Sequence, residues 1–273
     1  MSRILCSTGA LIGRPNGRDY RLLKDLAEQL CCDGFEFMMY DTWYDQIDRI
    51  IDFVKENEIS TPVYHTEKSI GELISLGGEE NTAKAFKNFE INTEMAVKLG
   101  AEKLVLHLWG GMASDGQIEN NYSAYKKLRE IADAAGVKLM IENVVCNVKD
   151  PMTHLIELSK RYPDVLFTYD TKMAAFHNQL ERLYEPDGAW LWEDGHIAHY
   201  HVNDYAGGYM DWSNLRTLPI GSGHIDFERF FEFVRKTGYD GTLTMESTAF
   251  GGNGVVDIDM INKETEYIRK RVS

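Results

Sequence analysis

The sequence predicts an α/β fold, a single (β/α)8 barrel occupying residues 1–273 as one domain. Three observations predict it. Strand-like and helix-like segments alternate eight times along the chain. The length of 273 residues is close to the roughly 250 typical of such a barrel. Six consecutive strand segments, 61–67, 103–109, 138–144, 165–171, 197–204 and 241–247, also finish at or near a side chain able to hold a metal ion: His65, His107, Glu142, Asp170, His201 and Glu246. Polar groups delivered from many strand ends to one place are how a closed parallel barrel builds a site.

Two earlier strands, 4–10 and 34–40, complete the eight. Between strands the apolar residues recur at three- and four-residue spacing, as one helix face requires. Residues 18–32 do this through Leu22, Leu23, Leu26, Ala27 and Leu30. Residues 118–135 do it through Ile118, Tyr122, Tyr125, Leu128, Ile131 and Ala135, and residues 226–237 through Phe227, Phe230, Phe231 and Val234. Gly34, Gly100, Gly136 and Gly238 stand where helices stop before strands, and Asp226 stands at an N-cap position. Alternation with short connections implies a parallel sheet. An open doubly wound sheet fits less well, because no glycine-rich fingerprint follows the first strand.

Composition narrows the function classes. Twenty-nine basic against 43 acidic residues give a net charge of −14. Such a surface repels phosphate backbones and anionic lipids, so the expected partner is a small molecule, with neither nucleic acid nor membrane. No stretch approaches the roughly 18 apolar residues of a membrane span, and the apolar start is too short for a signal sequence. Cys6, Cys31, Cys32 and Cys146 lack zinc-ribbon or redox spacing, and the adjacent Cys31 and Cys32 read as buried thiols rather than a disulfide, which places the protein in a reducing, cytoplasmic compartment. Assembly into a homo-oligomer is compatible with the sequence.

Strand alternation sharpens the site. Thr242, Thr244 and Glu246 share one face; so do Leu166, Thr168 and Asp170, and so do Ile197, His199, His201 and Asn203. These are the polar faces, hence the inward ones. A lone strand-end carboxylate is usually solvated or paired, and His154 and His196 read as packing or hydrogen-bonding residues. Recurrence in register is what distinguishes the ends of strands five to eight. Glu142, Asp170, Glu246 and one imidazole form an oxygen-rich set suited to one divalent ion: Mn²⁺, Mg²⁺, Co²⁺ or Zn²⁺. His199 and His201 face the same way; His201 is preferred because it lies nearer the strand end.

The strings LVLHLWGG (104–111), MIENVV (140–145), TYDTKMAAFH (168–177), YHVNDYAGG (200–208), LPIGSGHIDFERFF (218–231) and YDGTLTMES (239–247) resemble the xylose isomerase-like TIM barrel superfamily. That superfamily holds sugar phosphate isomerases and epimerases, ketose 3-epimerases, inosose dehydratases and apurinic endonucleases. The resemblance implies that Glu142, Asp170, His201 and Glu246 bind one divalent ion and that Glu142 and Glu246 move protons. It implies a metal-dependent isomerase or epimerase acting on a ketose or sugar phosphate through an enediolate. An inosose-type dehydratase is the alternative, and a phosphodiesterase like the apurinic endonucleases a more distant one. The endonuclease pattern is incomplete. Met173 stands where those enzymes carry a histidine three residues after the aspartate, and His224 and Asp226 stand in reversed order.

The remaining candidates are substrate-binding. Lys172 or His177 takes the place of a histidine that epimerases carry soon after the aspartate. His65, His107 and Asp204 orient hydroxyls or the ligand shell. Trp109, with Trp190, Trp192 and Trp212 near the last loops, offers rings to a sugar's apolar face. His224 lies in the loop Gly221-Ser222-Gly223-His224, whose backbone N–H groups are candidates for a phosphate cradle.

Overall fold

The computed structural model describes residues 2–272. Eight parallel strands close into a barrel in sequence order: β1 (Arg3–Ser7), β2 (Phe35–Met38), β3 (Val63–His65), β4 (Lys103–Leu106), β5 (Lys138–Glu142), β6 (Leu166–Asp170), β7 (Ile197–Val202) and β8 (Thr242–Met245). The seam is the β1–β8 pairing, with Arg3 opposite Thr242 and Cys6 opposite Met245. The expected fold is therefore the observed one.

Helices cover the outside of the barrel because their apolar stripes have nowhere else to go. In the helix Phe227–Lys236, Phe227, Phe230, Phe231 and Val234 are all buried. Each such side chain contributes about 1.5–3 kcal/mol relative to remaining exposed. Asp226 caps this helix, accepting from Arg229 N–H at 3.0 Å. The first predicted helix is shorter than its periodicity suggested, Leu22–Gln29 rather than 18–32. Gly17 and Arg18 both take positive φ (70° and 51°) before it, and Leu30 is already extended after it. Gly34 consequently stands at the entry to β2 rather than at a helix end.

The barrel interior is layered. Leu5, Val63, Val105 and Met140 form a small apolar cluster, with Leu166 and Ala198 against it, separate from the large core between strands and helices. β7 departs from simple alternation. The pairing with β6 runs Phe167 to Ile197 and then Thr168 to His199, skipping Ala198. That irregularity sends Ile197 to the outer core and Ala198 inward, contrary to the expected facing of Ile197. His199 and His201 still face inward, as expected. The cysteines are all free, but only Cys6 and Cys146 are buried; Cys31 is exposed and Cys32 half-buried. No helix among the described residues is long and apolar enough to cross a membrane.

Candidate metal centre and active site

The side chains that strands five to eight carry at their carboxyl ends converge on His201. Its Nδ1 lies 3.5 Å from Glu142 Oε1, 3.7 Å from Glu246 Oε1 and 3.9 Å from Asp170 Oδ2. None of these contacts is a hydrogen bond, so Nδ1 is a buried polar atom without a partner. Such an atom calls for a partner that the chain does not supply: a water, a ligand or an ion. Glu142, Asp170 and His201 offer donor atoms within 4.8 Å of one another. Three carboxylates around one free imidazole nitrogen make a donor set that fits a divalent cation of hard or borderline character.

Electrostatics give the same reading. Burial alone would strip His201 of a proton, but the charges of Glu246, Glu36 and Glu142 outweigh burial and hold its basicity well above the ordinary imidazole range. Burial raises Asp170 to about 6; Lys172 opposes that rise, while Glu142 and Glu246 add to it. Burial also works against the charge on Glu142, yet His107 and His201 keep its carboxyl well below the usual range. A pocket with this much uncompensated negative charge favours a cation at its centre.

Each ligand candidate is held from behind. Glu142 Oε2 lies 2.8 Å from His107 Nε2 and 3.3 Å from His65 Nε2. His65 Nδ1 is fixed in turn at 2.8 Å from the Thr66 carbonyl. Burial lowers His107 to about 4, against the opposing pull of Glu142. Asp170 Oδ1 caps the short helix that follows, accepting from Met173 N–H at 2.8 Å, and its Oδ2 accepts from Asn203 Nδ2 at 3.2 Å.

The centre opens on a cavity of about 240 Å³ lined by Tyr40, Lys68, His107, Glu142, Lys172 and Glu246, among others. That is below the roughly 300–1,000 Å³ of pockets for drug-sized ligands, which suits a small molecule. A larger groove of about 970 Å³ lies between the loops after β1 and β2, lined by Arg14, Arg18, Arg21 and Arg49, and carries none of the predicted residues.

The structure brings together Glu142, Asp170, His201 and Glu246, with His65, His107 and Lys172 beside them. The other expected substrate contacts lie elsewhere. Trp109 is fully buried and donates Nε1–H to the Val144 carbonyl at 3.0 Å. His177 Nε2 accepts from Cys146 N–H at 3.0 Å. His224 is exposed, edge-on to Tyr205. Asp204 is buried and accepts from the N–H groups of Tyr205, Gly221, Gly223 and Ile225 at 2.7–3.1 Å. In the loop expected to cradle a phosphate, Gly221, Gly223 and Ile225 donate to Asp204, Ser222 donates to the Pro219 carbonyl and His224 to the Tyr205 carbonyl, so these N–H groups are already paired within the chain. His154 and His196 hydrogen-bond within the core, as expected: His154 with Asp115 and Tyr122, His196 with the Val165 carbonyl.

Sequence reasoning missed Glu36, Lys68 and Tyr40. Glu36 carried a usable signal. In β2 it alternates with Phe35 and Phe37, which pack outward, so the carboxylate must point into the barrel.

Residues 25–271 match the family described as xylose isomerase-like TIM barrel. The chain belongs to this family. Over 193 residues it is 26% identical to the uncharacterized protein MJ1311 of Methanocaldococcus jannaschii, an alignment covering 66% of this chain and 62% of that one. The chain thus spans about 62% of the length of the curated relative it matches.

Among solved structures it is similar to D-allulose 3-epimerase from Methylomonas sp. in complex with D-allulose (14% identity, 99% and 97% of the two chains covered, TM-score 0.70). It is similar to D-psicose 3-epimerase with D-tagatose from Clostridium cellulolyticum H10 (14%, 99% of each chain, TM-score 0.70). It is also similar to 3-keto-D-glucoside 4-epimerase from E. coli (17%, 99% and 100%, TM-score 0.64). At these identities the likeness is one of fold.

Proposed function

We propose that the protein is a divalent-metal-dependent isomerase or epimerase of a ketose or sugar phosphate. The observation that carries this is the unpartnered His201 Nδ1 facing three carboxylates beside a small solvent-connected cavity. The sugar epimerases among its structural neighbours support the substrate class.

Glu142, Asp170, His201 and Glu246 would hold the ion. Bound there, it would supply Lewis-acid stabilisation of negative charge on substrate oxygens. Glu142 and Glu246 both line the cavity and move the protons. One takes a carbon-bound proton next to the carbonyl, and the other returns a proton on the opposite face or on the neighbouring carbon. His107 and His65 fix the Glu142 carboxylate so that its reach does not vary. Lys172 and Lys68 line the same cavity and face substrate oxygens with positive charge. Met173, in place of a histidine, and Asp226, committed to its helix cap, fit a one-ion centre better than a three-ion nuclease centre.

The test joins metal analysis of purified protein to a solvent-deuterium screen over free and phosphorylated ketoses. Metal near one ion per chain and deuterium entering one carbon are the expected results. Loss of water from the substrate, seen by mass, would make it a dehydratase. Glu246→Gln should abolish deuterium incorporation while the variant stays folded; near-normal exchange in that variant would remove Glu246 from proton transfer.

A further inference from the structure

Beneath the proposed centre lies a second buried carboxylate, Glu36 on β2, fully inaccessible to solvent. His201 Nε2 lies 3.0 Å from its Oε1 and 3.1 Å from its Oε2, and His199 Nε2 lies 2.8 Å from Oε2. The chain of contacts continues downward. His199 Nδ1 is 2.6 Å from Thr242 Oγ1, and Thr242 Oγ1 accepts from Lys103 Nζ at 2.9 Å. Lys103, at the start of β4, also donates to the Ala198 carbonyl at 2.8 Å.

The directions of these bonds are mutually consistent. A carboxylate accepts only, so both imidazoles present Nε2–H to Glu36. His199 then has a lone pair on Nδ1, which the Thr242 hydroxyl fills while Lys103 supplies that hydroxyl's own incoming bond. Every polar atom of His199 is satisfied. His201 differs on one side only: its Nε2 is anchored like that of His199, and its Nδ1 has nothing but the three carboxylates of the centre. Glu36, His199 and His201 also lie close enough to share an ion, but their facing atoms are already spent on one another.

We propose that Glu36 is a positioning residue for the cation centre: it holds His201 as the Nε2–H tautomer and turns Nδ1 toward the ion, with His199, Thr242 and Lys103 bracing it from below. This rests on the metal-dependent reading above. A carboxylate behind a ligating imidazole fixes ring orientation and raises ligand basicity, and loss of such a partner typically weakens metal affinity about 10–100-fold. Glutamine is a poor replacement. Its oxygen can accept from one imidazole, but its amide confronts the N–H of the other. The negative charge beneath the ring is also lost.

The experiment measures Mn²⁺ and Co²⁺ affinity by competition with a chromogenic chelator, for wild type and Glu36→Gln, together with the visible spectrum of the Co²⁺-loaded proteins. The expected result is affinity lowered about 10–100-fold with an altered Co²⁺ spectrum. Wild-type affinity and spectrum in a folded variant would overturn the inference and leave the metal reading standing. A wild-type protein that binds neither ion would overturn both. Should Glu36→Gln fail to fold, the wild type decides alone. In ¹¹³Cd-loaded protein with ¹⁵N-labelled histidine, the metal should couple to Nδ1 of His201. Coupling through Nε2 would place the ion at Glu36 instead and end the proposal.

Discussion

Among the described residues four clusters put a carboxylate, an imidazole and a further potential ligand within 4.8 Å of one another, and two of them do opposite things with them. In the cluster of Asp115, Cys146 and His154, every bond is met by the chain. Asp115 accepts from the N–H groups of Asn147, Val148 and Lys149 at 2.7–2.9 Å and from His154 Nε2 at 3.0 Å. His154 Nδ1 accepts from the Tyr122 hydroxyl at 2.7 Å. This is a clamp that ties the loop after β5 to the loop after β4. In the cluster of Glu142, Asp170 and His201, the carboxylates crowd one another and an imidazole nitrogen goes unmet. Nearness of ligand-type residues is common to both. Unmet bonding and uncompensated charge belong to one, and on these the proposed cation centre rests.

The sharpest way to break this contrast is to remove the imidazole from each cluster. His201→Gln should weaken Mn²⁺ or Co²⁺ binding by more than the roughly 100-fold ceiling of outer-shell changes, read by chelator competition, and should cancel any rise in Tm on adding metal. His154→Gln should leave metal affinity as it was. Comparable losses in both variants would mean that proximity, not unmet bonding, identifies the site.

Next in size is the clamp itself. Asp115→Ala strands three backbone N–H groups and a buried histidine, and should cost about 2–4 kcal/mol in denaturant unfolding with metal stoichiometry unchanged. Its pH dependence has a definite sign. Burial opposes the charge of Asp115, but His154 and the three amides hold its carboxyl well below the usual range. Its contribution is therefore full above the unfolded-chain value of about 3.9 and is lost as pH falls below it. The stability gap between wild type and Asp115→Asn should narrow between pH 5 and pH 2. A gap that stays constant would assign the effect to packing instead.

The smallest expected effect is at His224. It is exposed and outside the cavity, so His224→Ala should change stability by less than about 0.5 kcal/mol and leave KM unaltered. A raised KM would extend the site toward the loop that Asp204 holds.

The barrel and the convergence of strand ends were legible because both depend on local period. Alternation placed Glu246, Asp170 and His201 on inward faces, and the carboxyl ends of parallel strands meet by topology alone. What the sequence hid depends on pairing between distant segments. Asp204 looks like one more strand-end acid until Gly221, Gly223 and Ile225 are seen to donate their N–H groups to it. Trp109 looks like a sugar platform until its burial shows it to be core. His199 and His201 differ at Thr242, contributed by another strand, which meets Nδ1 of His199 alone, while Glu36 meets Nε2 of both. The skipped Ala198 is invisible to any rule that assumes an unbroken period of two.

One close approach ties the Glu142 carboxylate to a helix on the outside of the barrel. The helix Ser69–Leu76 lies so near the chain at the end of β4 that a Cβ on Gly71 would sit 1.9 Å from the His107 carbonyl oxygen. The smallest possible side chain there would displace the peptide carrying His107, and with it the imidazole that steadies Glu142. A single absent methyl group on an outer helix thus sets the position of a carboxylate inside the barrel.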